Sequence, residues 1–303
     1  MANVKRNLMV VLVLLAAGGN ARADDAKPRP AFDPWEHHLK LIENADPAFE
    51  FQDDTDFETW QPQLRAELLD ILGVEHDSKA PLKASVTPER STDEFDSFRV
   101  LYEAAPGVTV PCFLLKPKGV TGPLPVMICL QGHKKKDGML VSIGRVPDGG
   151  GRDIAIQAIR HGWAALAVEQ RCFGERLGDC QRESLDALML GKTLTGERVF
   201  DVMRAIDFIE TQPDLDASRI GCMGNSTGGT VTFYAACVDP RIRLGVVSCS
   251  YCTYAESWLK IRHCACGYLP GIMQVADMGD LAGLVAKRNL IIVAGKEDYL
   301  ATI

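Results

Sequence analysis

The sequence predicts an α/β protein built on a doubly wound, mostly parallel sheet. Short, nearly continuous apolar runs recur at 126–130, 163–168, 220–223, 244–248 and 290–294. Helical stretches at 152–160, 197–210 and 229–238 lie between them. Strands apolar on both sides and separated by helices belong to a parallel sheet covered on both faces. The 303 residues are 47% apolar and 24% charged, a globular composition long enough to bury a sizeable core. Net charge is −7 and the longest basic block is Lys134-Lys135-Lys136, which excludes a nucleic-acid footprint.

Taken in order, residues 1–23 have the layout of a secretory signal. Lys5 and Arg6 precede an apolar run over 8–17, and Ala21-Arg22-Ala23 supplies the small residues of a cleavage site. The run is too short to span a bilayer comfortably. The expectation is cleavage after Ala23 and a secreted or periplasmic protein with no membrane partner; an uncleaved anchor is the alternative. Residues 24–96 read as a polar, acidic, N-terminal helical extension. Leu64, Leu68, Ile71 and Leu72 recur at helical spacing over 58–72, and Gly73 stops that helix. Residues 97–303 form the main domain, opening with strands at 98–103 and 108–116 that turn at Pro106-Gly107. In the helix at 197–210, Val199, Val202, Met203, Ile206 and Ile209 share one face.

All ten cysteines lie from Cys112 onward. Cys129, Cys222 and Cys249 sit in apolar runs and read as buried thiols. Export permits disulfides, and the loop residues Cys172 and Cys180 are the better candidates for one. Cys249-Ser250-Tyr251-Cys252, then His263-Cys264-Ala265-Cys266, offers donor types that suit zinc. The spacing argues against it: C-x-C is a poor knuckle and Cys249 falls in a predicted strand. No metal is expected.

The most informative stretch is Gly224-Asn225-Ser226-Thr227-Gly228, between a predicted strand and a predicted helix. Gly-x-Ser-x-Gly in that setting holds a serine on a strained turn where larger neighbours would clash. Ser226 Oγ is then exposed at the carboxyl end of the sheet as a nucleophile, and the Thr227 N–H at the helix start becomes an oxyanion donor.

On these residues, the stretch from about Phe98 onward resembles the α/β-hydrolase fold. It is most similar to the bacterial secreted branch near the acetyl xylan esterases and dienelactone hydrolases. Leu130-Gln131-Gly132-His133 resembles the segment that carries the oxyanion loop, which implies Gly132 and His133 as further donors. Glu169-Gln170-Arg171-Cys172-Phe173-Gly174-Glu175 resembles a conserved acidic-x-Arg-x-x-Gly loop, with Cys172 where Gly is more usual; it implies Arg171 near the pocket. Val293-Ala294-Gly295-Lys296-Glu297-Asp298 resembles the strand end that supplies the triad acid, which implies Asp298, with Glu297 as neighbour. The resemblance implies no cofactor.

In this fold the order is nucleophile, acid, histidine. The six histidines, His37, His38, His76, His133, His161 and His263, all precede Asp298. The catalytic histidine, the last strand and the last helix are therefore expected to be missing from these residues. A serine without a base is a weak nucleophile. His133 and His263 are the two that can approach the site, His263 as a pocket residue or a substitute base. The leading expectation is a serine esterase acting on a small or carbohydrate ester. The alternatives are a non-catalytic binding protein on a hydrolase scaffold, or a peptidase or thioesterase using the same serine.

Overall fold

The computed structural model describes residues 9–15, 35–74, 80–147, 151–259 and 261–295. Nine strands form one sheet: β1 (Met9–Leu15), β2 (Ser85–Ser91), β3 (Phe95–Ala105), β4 (Val108–Pro117), β5 (Leu124–Leu130), β6 (Ala164–Val168), β7 (Leu215–Asn225), β8 (Ile242–Ser248) and β9 (Asn289–Gly295). Their spatial order is β1-β9-β8-β7-β5-β6-β4-β3-β2. Pairings among β1, β9, β8, β7, β5 and β6 are parallel; β6–β4, β4–β3 and β3–β2 are antiparallel. The chain runs from β5 to β6 on one side, then crosses to β7 on the other. The carboxyl ends of β5 and β7 thus flank a topological switch point, where such sheets form their crevice.

The apolar runs are continuous because both sheet faces are covered. In β5, Val126, Ile128 and Leu130 face the cluster made with α2 (Phe57–Leu72), α5 (Leu194–Glu210) and α6 (Thr227–Val238). Met127 and Cys129 face the other cluster, with α3 (Ile154–Arg160). In α5, Val199, Val202, Ala205, Ile206 and Ile209 are buried as the periodicity predicts, and Met203 packs at the margin of the same cluster.

The N-terminal extension is not an independent unit, and it holds more than the one helix read from the sequence. It is bonded into the main domain: Phe57, Trp60, Leu64, Leu68, Leu69 and Leu72 of α2 are buried, and Arg65 donates to the carbonyls of Cys237 and Leu284. It also adds α1 (Trp35–Glu43) and strand β2. Every residue of β2 is exposed and one is Pro88, so no alternation marked it; it is an edge strand. Gly73 ends α2 in the left-handed region at φ 67°, as its position suggested.

The apolar leader was expected to be an address without structure, leaving the far edge of the sheet short of a strand. Instead Met9–Leu15 lies parallel to β9, from Met9 opposite Asn289 to Leu15 opposite Gly295. A seven-residue run rich in Val and Leu suits a parallel strand as well as a leader, and periodicity alone does not separate the two. No described helix is long and apolar enough to cross a membrane.

Because α2 belongs to the core, Leu68→Ala destabilises the whole domain. Leu68 is fully buried, so the expected loss is about 2–5 kcal/mol in urea unfolding, in one transition shared with the sheet. An unmoved main transition would mean that α2 is an independent appendage.

Candidate active site

Ser226 joins β7 to α6 with φ 53° and ψ −125°, a conformation that non-glycine residues rarely adopt. Its neighbours leave no alternative. A Cβ on Gly224 would lie 2.2 Å from the Gly228 carbonyl carbon, and one on Gly228 would lie 2.3 Å from the Leu130 oxygen. The Ser226 N–H donates to the Ser248 carbonyl at 2.8 Å, and its own carbonyl accepts from Thr230 N at 2.9 Å and from Ser250 Oγ. The serine is thus gripped from β8 and from α6 while its side chain faces a cavity of about 280 Å³.

Two backbone segments flank Ser226. Thr227 is the first residue of α6, so its N–H has no intrahelical acceptor. The loop after β5 passes so close that a Cβ on Gly132 would lie 3.2 Å from Ser226 Cβ. Glu169, at 1% exposure, braces that loop from behind. Its carboxylate accepts from Gln131 Nε2 at 2.9 Å, Met139 N at 3.0 Å and Glu175 N at 3.3 Å. Gly138 and Gly174 exist to make room for it, since a Cβ on either would strike its oxygens. Burial pushes the Glu169 carboxyl up to about 7, against the pull of the two backbone donors.

The cavity brings together Ser226, Thr227, His133 and His263 with Trp258 and Cys249. His263 stacks on Trp258 at 4.1 Å, and its Nε2 meets Ser257 Oγ at 3.2 Å; burial lowers its pKa. His133 points elsewhere: its Nδ1 hydrogen-bonds Thr227 Oγ1 and its Nε2 lies 3.5 Å from Cys266 Sγ. Among the described residues, no imidazole hydrogen-bonds Ser226 Oγ. Glu297 and Asp298 lie outside the described residues.

Four expectations are corrected. Arg171 does not line the Ser226 cavity. It is clamped by Asp201 at 3.1 Å and Glu197 at 2.9 Å, because Asp201 is 2% exposed and needs cations beside it. Cys172 and Cys180 are not bridged to one another or to any other cysteine. Cys180 is not in a loop but opens α4 (Cys180–Met189), a helix capped by Asp179 and missed in the sequence. Cys249 is half-buried at the cavity wall instead of inside a strand, while Cys129 and Cys222 are buried as expected. Cys172 does occupy a glycine-like position, at φ 70°.

A cluster that spacing did not suggest lies beside the cavity. The donor atoms of His133, Cys180, Cys264 and Cys266 all fall within 4.8 Å of one another. Cys249 and Cys252, the C-x-x-C of the sequence, are not part of it.

A model of the Abhydrolase family matches residues 37–257. YtaP of Bacillus subtilis (strain 168), which carries the name of a hydrolase, is 25% identical over 199 residues, 63% of this chain and 66% of YtaP. The thiohydrolase aneE of Aspergillus aculeatus is 31% identical over 90 residues, 30% of this chain and 26% of its own. The chain therefore spans less than two thirds of either curated relative. Among solved structures, a Bacteroides fragilis protein titled as an acetyl xylan esterase superposes with TM-score 0.76 at 18% identity, covering 91% of this chain and 78% of that one. A glucuronoyl esterase from Solibacter usitatus gives TM-score 0.62 at 16% identity, covering 84% and 81%. These likenesses establish the α/β-hydrolase fold.

The raised Glu169 pKa has a definite sign. Below the ordinary value of 4.5 the group is protonated whether folded or unfolded. From there to about 7 the unfolded carboxyl ionises while the folded one resists, so stability falls across that window and then levels, by at most about 3 kcal/mol for this group. Urea unfolding measured from pH 4.5 to 7.5 checks this; Glu169→Gln flattens that part of the slope.

Proposed function

The chain belongs to the Abhydrolase family, and from that premise we propose that it is a serine esterase acting on a small carboxylic ester, such as an acetyl group on a carbohydrate. The observation that carries this reading is Ser226, held at φ 53° between β7 and α6 with its side chain in a cavity. Ser226 Oγ attacks the ester carbonyl. The Thr227 N–H and those of the Gly132-His133 segment stabilise the oxyanion. Asp298 orients the imidazole that takes the serine proton. Chain order in this fold puts that imidazole after Asp298; His133 and His263 share the cavity with Ser226. The cavity suits a short acyl group, and Trp258 at its wall offers an apolar face to a sugar ring. Acetyl xylan and glucuronoyl esterases among the structural neighbours favour the carbohydrate class.

One observation favours a second reading, a non-catalytic binding protein: no described imidazole reaches Ser226 Oγ. The experiment that separates them is release of p-nitrophenol from short-chain esters, by this chain and by one continued through a histidine downstream of Asp298. Ser226-dependent release by the continued chain, lost by up to about 10⁶-fold in Ser226→Ala, supports the esterase. No release above the Ser226→Ala level from either chain overturns it in favour of binding without turnover.

A further inference from the structure

We propose that His133, Cys180, Cys264 and Cys266 form a closed zinc site that ties the loop after β5 to the rest of the cavity wall. This assignment does not depend on the esterase reading.

The four residues come from three separate segments. His133 follows β5, Cys180 opens α4, and Cys264 and Cys266 lie in the loop beyond β8. Folding alone brings them together, with all donor atoms within 4.8 Å. The distances fit a tetrahedral ion. Zinc sits about 2.3 Å from thiolate sulfur and about 2.0–2.1 Å from imidazole nitrogen, which at tetrahedral angles separates two sulfurs by about 3.8 Å and sulfur from nitrogen by about 3.6 Å. Cys264 Sγ lies 3.6 Å from Cys180 Sγ, and His133 Nε2 lies 3.5 Å from Cys266 Sγ. A disulfide would hold two sulfurs at about 2.05 Å and has no use for the imidazole.

Charge points the same way, through a residue on another element. Arg198 of α5 is 1% exposed and has no carboxylate partner among the described residues. Its Nη2 donates to the Arg171 carbonyl at 2.8 Å and to Cys180 Sγ at 3.4 Å, while its Nε and Nη1 find no partner there. A buried guanidinium needs a compensating anion. Protonated thiols leave Arg198 unmatched, and three adjacent thiolates without a cation repel one another. Three thiolates with one divalent ion carry a single negative charge, which Arg198 neutralises. Soft sulfur donors with one imidazole select zinc over the hard cations. Four protein ligands fill the shell, so the site is structural and holds no position open for substrate.

The imidazole passes the constraint on. With Nε2 on the metal, Nδ1 carries the proton and donates it to Thr227 Oγ1. The metal thus fixes the loop after β5 against the start of α6, on either side of Ser226.

The test uses the full chain purified from zinc-supplemented growth. Elemental analysis is expected to give about one zinc per chain. Cobalt exchanged for it is expected to show thiolate charge-transfer absorption and the intense visible bands of a tetrahedral ion. Cys266→Ser and Cys180→Ser are expected to lose the metal, and Cys252→Ser, buried elsewhere, to keep it. Should the ligand variants fail to fold, the cobalt spectrum of the unaltered chain still decides. Zinc at a few per cent of the chain with no cobalt bands overturns the proposal. So does a Cys180–Cys264 disulfide in the mass of the non-reduced protein.

Discussion

No side chain fits between the start of α6 and the end of β5. Gly228 lies against the Leu130 carbonyl, and Gly224 against Gly228 itself. That contact forces the serine between them into the left-handed region, and everything else at the site is arranged around it. The helix can begin there only if β8 supplies an acceptor for the Ser226 N–H and if the loop after β5 keeps a glycine at 132. Strain at one residue is sustained because packing on three sides over-determines it.

That loop is held from two directions by different chemistry. On one side the buried carboxyl of Glu169 collects one side-chain and two backbone N–H groups, in a niche that two glycines keep open. On the other, His133 reaches across to sulfur. Arg171 and Arg176 stay out of the cavity because Asp201 draws both to itself, and Arg198 is left to face the thiols. The residues between Glu169 and Arg176 therefore divide the buried charges rather than present them to a ligand.

Much of the fold was legible. A strand buried on both faces leaves an uninterrupted apolar run, and a helix leaves a periodic one, so β5, β6, β8, β9 and α5 were found close to their bounds, and β7 only in its central residues 220–223. Gly-x-Ser-x-Gly was legible because its spacing records a steric constraint. Strand β2 was not, because an edge strand with no buried face carries no pattern. The placement of Arg171 was inferred from a resemblance between loops and failed because the partner that captures it, Asp201, lies far along the chain on α5. The thiol cluster was invisible for a related reason. C-x-C looked unpromising as a pair, and its true companions lie far away in sequence, at His133 and Cys180.

The pairing of β1 with β9 has a consequence for how such a chain is made. The seven residues from Met9 to Leu15 cover the outer edge of β9 from Asn289 to Gly295, so the sheet is finished only when they fold back onto that strand. A pairing between segments so far apart in sequence is slow to form. Until that pairing forms, the outer backbone of β9 is an open edge. The naked ribbon is a template for whatever extended chain meets it first, a second molecule included.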